Sequence, residues 1–212
     1  MTAIVWDDPA SKTYETGIDQ GVLYLSDGSG VPWNGLTSVE ERFAATVATP
    51  LFFEGEKFNE SMTVSDYSAS LKAFTYPEEF MEYEGIQEAD PGFYVTAQTP
   101  KRFGLSYRTR VGNGLDPDAG YRIHVVTNLT AVPSPRAYKT IGANPAAIEF
   151  EWIISAIPSR IPGFRSTAHL IFDSTRIDPD LLNIIENTIY GTEDSIPTLL
   201  PLPEMVALAD IT

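Results

Sequence analysis

Phe103-Gly-Leu-Ser-Tyr-Arg-Thr-Arg-Val111, Gly112-Asn-Gly-Leu-Asp-Pro-Asp-Ala-Gly120 and Tyr121-Arg-Ile-His-Val-Val-Thr-Asn-Leu-Thr130 form the stretch on which the fold turns. Its outer arms alternate apolar and polar residues, the period of two that a half-buried strand requires. Phe103, Leu105, Tyr107 and Val111 are predicted to share one face of the first arm, and Tyr121, Ile123, Val125 and Leu129 one face of the second. Arg108, Arg110, Arg122 and His124 would then make one basic face. The segment between the arms is rich in residues that set turns, so the reading is a long hairpin.

Working outward, Gly21 to Leu25, Ala44 to Phe53, Glu56 to Met62, Thr63 to Tyr76, Ile148 to Ile154 and Thr167 to Asp173 carry strand patterns separated by turn residues. Thr37-Ser38-Val39-Glu40 matches a capping box, but β-branched residues and Pro50 follow closely, and this favours strand. Pro77 to Gly85 fits a short acidic helix. The clearest helix spans 179–190: Asp178 is its N-cap, Pro179 its first residue, and Leu181, Leu182, Ile184, Ile185 and Ile189 its apolar stripe. Residues 1–20 read as an N-terminal arm, 21–191 as a mainly β domain, and 192–212 as a proline-rich C-terminal arm. Trp6, Tyr14, Met205, Val206 and Leu208 are the candidates for docking those arms, the apolar C-terminal one on a neighbouring copy.

The charge is segregated. Residues 1–99 hold 4 basic and 17 acidic side chains, residues 100–170 hold 9 and 4, and residues 171–212 hold 1 and 8. A net charge of −15 argues against gripping nucleic acid, which needs Lys and Arg on phosphates. The basic middle between acidic ends suits contacts between separate copies. Neither a leader nor a membrane-spanning run is read from the sequence, so a soluble, cytoplasmically made chain is the expectation.

Catalysis finds little support. There is no cysteine, no Gly-x-Ser-x-Gly elbow and no phosphate loop. His124 and His169 lie in predicted strands without metal-ligand spacing, so they are assigned structural roles and no metal or cofactor is expected. Asp116-Pro117-Asp118 lacks the remaining oxygen ligands of a calcium loop.

The chain resembles a major tail protein, the tail tube subunit of long-tailed bacteriophages of Gram-positive hosts. The resemblance is carried by Trp6-Asp7, Tyr14 to Tyr24, Gly30 to Val39, Phe103 to Arg110, Thr167 to Leu170 and Ile189 to Thr192. It implies two packed antiparallel β-sheets forming a sandwich or barrel with one flanking helix, and no enzymatic activity. It further implies stacked hexameric rings, assembled in the host cytoplasm into a virion tail. The partners would be other tail proteins, a tape measure protein and DNA passing through the lumen, with no membrane. Asp66, Ser68 and Ser70 are the candidate lumen residues. Arg108, Arg110 and Arg122 are expected to pair with Glu149, Glu151 or a neighbouring subunit. A tube terminator or tail-tip subunit, and a carbohydrate- or receptor-binding virion domain, are the alternatives.

Overall fold

The computed structural model describes residues 6, 7, 9, 11–42, 49–54, 56–61, 67–140 and 147–210. In chain order its strands are β1 (Tyr14–Tyr24), β2 (Gly30–Pro32), β3 (Leu36–Arg42), β4 (Thr49–Phe53), β5 (Glu56–Ser61), β6 (Ser68–Ala73), β7 (Gln87–Asp90), β8 (Phe93–Val95), β9 (Phe103–Gly112), β10 (Gly120–Pro133), β11 (Phe150–Ala156) and β12 (His169–Asp173). A 3-10 helix covers Glu78–Glu84, and helices α1 (Pro179–Tyr190) and α2 (Leu202–Ala207) follow β12. The protein is mainly β, and every strand pairing is antiparallel.

Strand β10 organises the rest. Its first half pairs with β9 on one side and β12 on the other, and its second half pairs with β11. The path runs β2-β1-β9-β10-β11-β6-β3, with β12 branching from β10. A register shift between Val126 and Leu129, with Asn128 at φ 55°, marks the change of neighbour. A bulge of this kind adds a residue to one strand and bends it. The sheet is thereby folded into two packed layers that share β10.

The bulge also corrects the predicted faces. Ile123 and Val125 pack toward the helices, whereas Leu129 joins Val126 in the core between the layers. That inner core holds Leu105 and Tyr107 of β9, Leu71 of β6 and Trp152 and Ile154 of β11. Trp33, Phe80 and Trp152 meet there at centroid distances of 4.5 to 5.9 Å in tilted or edge geometries, arrangements that aromatic quadrupoles favour. One ionic group enters this core: buried Glu84 accepts from Trp152 Nε1 at 2.6 Å and pairs with Arg136.

Helix α1 covers the opposite face of β10, burying Leu181, Ile185 and Ile189 against Ile123 and Val125. Asp178 accepts hydrogen bonds from the N–H groups of Asp180 and Leu181, satisfying donors that a helix start leaves open. The C-terminal segment docks on its own chain rather than on a neighbour. Leu202 and Met205 are buried in the core beneath α1, and Val206 and Leu208 pack against it. Helix α2 has too few residues to bury both faces itself, and α1 leaves it an apolar seat.

The N-terminal boundary also shifts. Tyr14 to Gln20 belong to β1, and Tyr14 pairs with Gly112. Positive φ at Gly17 and Gln20, with two register shifts, interrupts the alternation that would reveal a strand. Trp6 lies ahead of the sheet and is 80% exposed. No described helix is long and apolar enough to cross a membrane.

Candidate functional site

The hairpin arginines divide between the two faces of the sheet. Arg108 lies opposite Ile123, and Tyr107 opposite His124; residues directly opposite share a face. Arg108 and Arg110 therefore stand on the helix side, and Arg122 and His124 on the other. Alternation within each arm could not show this, because the relative register of the arms assigns the shared face.

Their partners come from β1 and β12. Arg108 donates through Nε and Nη2 to both oxygens of Asp19, at 2.7 and 3.1 Å. This is a two-point fit, and it fixes orientation as well as charge. Arg110 Nε reaches the same carboxylate at 3.0 Å, and Arg108 lies over the Tyr121 ring at 4.6 Å. The Arg108 hydrogen bond holds the Asp19 carboxyl below the usual carboxylate range despite partial burial, with Arg110 adding to it. Arg122 bridges Asp173, at 2.9 Å, and Glu15.

Glu149 and Glu151 do not take part in these pairs. Strand β11 joins β10 only beyond the bulge, so Glu149 accepts from Thr37 instead, at 2.8 Å, and Glu151 from Ser70, at 2.6 Å. Ser70 is 0% exposed on the central strand of its layer, covered by that carboxylate, and offers no surface to a lumen. Ser68 stays on the outward face and bonds the Arg42 carbonyl at 3.2 Å. Asp66 lies outside the described residues.

Two side-chain constellations are brought together by the fold. The first is an outward layer face carrying Glu40, Ser68, Lys72, Thr130 and Ser155 beside exposed Val132. Among the described residues two hairpins, β4–β5 and β7–β8, pair with no other strand. Phe52 on the first is 59% exposed and Phe93 on the second 62%. Two-stranded hairpins are marginal in water on their own, and each of these carries an exposed aromatic ring.

The second constellation gathers Glu41 from β3, His124 from β10 and His169 from β12. His124 Nδ1 lies 3.1 Å from His169 Nε2, and Glu41 Oε1 lies 3.7 and 3.8 Å from those nitrogens. Tyr107 donates to Glu41 Oε1 at 2.5 Å and stacks on His124 with centroids 4.7 Å apart. Burial lowers both imidazoles to about 4, with His169 adding to the effect on His124. Both rings are neutral at pH 7. The three residues are separated by dozens of positions, so no local spacing could have announced them.

A groove of about 620 Å³ runs past Asp19, Trp33, Asn34 and Tyr190. Trp33 is only 2% exposed and its Nε1 donates to the Thr75 carbonyl at 3.0 Å. It offers no open ring on which a sugar could stack.

No family model and no curated protein matches the chain. Among solved structures, a chain of the PVC sheath–tube complex of an extracellular contractile injection system, in the extended state, is similar at 11% identity and a TM-score of 0.37, covering 73% of this chain and 88% of that one. A chain of the sheath/tube terminator of that system gives 11% and 0.36, covering 80% and 99%. A chain of the anti-feeding prophage tube-terminating cap gives 12% and 0.34, covering 82% and 96%. These likenesses are distant.

Proposed function

We propose that the protein is a non-enzymatic structural subunit that assembles with copies of itself into a tube of the phage-tail type. One observation carries the reading: two hairpins outside the main sheet present exposed Phe52 and Phe93. Copies stacked head to tail would cover those rings, and heterologous contacts of that kind build rings and open tubes. The resemblance of the β1, β2 and β9 segments to tail tube subunits points the same way. The outward face with Ser68, Thr130 and Ser155 is the proposed lumen wall, polar enough to pass DNA without holding it.

The Arg–Asp pairs of the long hairpin lie within one chain. Contacts between copies are accordingly assigned to the hairpins and to Trp6.

Negative-stain electron microscopy of the concentrated protein tests this. Wild type is expected to give rings or tubes, and Phe52→Ser with Phe93→Ser to remain monomeric with an unchanged circular dichroism spectrum. Equal association of wild type and the double variant would remove the hairpins from the interface, and a wild type monomeric at every concentration would remove the reading itself.

A further inference from the structure

We infer that Glu41, His124 and His169 form a binding site for one divalent transition-metal cation, with zinc the best match to the donor set. The three facing atoms form a triangle with sides of 3.1, 3.7 and 3.8 Å. The centre of that triangle lies about 2.1 Å from each corner, the length of a Zn–N or Zn–O bond. As hydrogen bonds the two contacts to Glu41 are too long. As the edges of a shared coordination sphere they need only small adjustments, since a tetrahedral zinc spaces its ligands by ~3.4 Å.

The surrounding groups are arranged as a ligand set requires. Thr109 donates its hydroxyl proton to Glu15 at 2.9 Å. Its oxygen is then left to accept from His124 Nε2, 3.3 Å away. This puts the proton of His124 on Nε2 and its lone pair on Nδ1, facing His169 and Glu41. Tyr107 in turn orients Glu41 through the 2.5 Å bond to Oε1. The Thr109 contact on the far nitrogen sets the His124 tautomer, and Tyr107 holds the very oxygen of Glu41 that faces the imidazoles, which keeps a lone pair for a cation. Two neutral imidazoles and one carboxylate suit zinc, whereas magnesium and calcium prefer all-oxygen sites. Glu41 is partly exposed, so water can complete the fourth position.

Such an ion would tie edge strand β3 of one layer to β10 and β12 of the other. Without it, His169 must donate from Nε2 to His124. With it, the His169 proton moves to Nδ1.

Chelator-treated full-length chain titrated with zinc chloride tests this, with calorimetry for affinity and elemental analysis for stoichiometry. One zinc per chain is expected, together with a thermal midpoint raised by about 5 °C or more at saturation. Magnesium should not compete. Glu41→Gln and His169→Gln should each weaken binding at least tenfold, and Thr109→Val about tenfold through the tautomer of His124. Because the chain has only two histidines, imidazole nitrogen NMR of the wild type reads the site even where a variant folds poorly. Zinc should shift His124 Nδ1 and His169 Nε2 and switch the His169 tautomer. Unchanged imidazole resonances at saturating zinc, or affinity indifferent to both ligand substitutions, would overturn the proposal and leave a hydrogen-bonded histidine pair.

Discussion

The two halves of β10 carry the same chain into opposite circumstances. Before the bulge the strand is covered on both faces, by the inner core on one and by α1 on the other. After it, one face packs under Trp152 and Ile154, while the other carries Thr130 and exposed Val132 outward. The covered half has already spent its apolar surface within one chain. The open half keeps one face uncovered, and the detached hairpins keep exposed rings. On the proposed function, folding draws on the covered half of β10, while assembly draws on the hairpins.

The sharpest break of this comparison is Trp152→Ala. It would empty the inner core and remove a donor from buried Glu84, destabilising the chain by about 3–5 kcal/mol in denaturant titration. Ile185→Ala on the covered side should cost somewhat less, about 2–4 kcal/mol, because one aliphatic side chain is lost and no polar group is stranded. Both losses should appear in the unassembled chain.

Asp19→Asn comes next, at about 2 kcal/mol, the scale of hydrogen bonds to a charged group. Its signature is pH dependence. The Asp19 carboxyl has a lower pKa folded than unfolded, so its contribution is present above the unfolded value of ~3.9 and is lost as pH falls through the folded one. The difference between wild type and variant should therefore shrink in acid unfolding curves and be constant near neutrality. The smallest effect on folding belongs to the open half. Val132→Ser, on the proposed lumen wall, should change stability by no more than about 0.5 kcal/mol and leave association measured by sedimentation unchanged.

How much of this was legible in the sequence varied with the range of the interactions. Helix α1 was readable because its cap, first-turn proline and apolar stripe all lie within a dozen residues. Strands β6 and β11 were readable for the same reason, since the residues around Leu71 and Trp152 obey a simple alternation. Leu129 was misplaced because one bulge reverses the parity beyond Asn128, and no residue type announces a bulge. The split of the arginines followed from the pairing of Arg108 with Ile123, a register that neither arm contains alone. Asp19 was hidden by irregular backbone in β1, and the Glu41, His124 and His169 group by long-range topology. The exposure of Phe52 and Phe93 became visible only in the tertiary structure.

Hydrogen–deuterium exchange, comparing dilute with concentrated protein, tests most directly the division between a covered region that folds and the hairpins proposed to assemble. Amides of β4–β5 and β7–β8 are expected to gain protection on concentration, while those of α1 and the first half of β10 stay as slow as before. Protection gained on the α1 side with the hairpins unchanged would contradict that division.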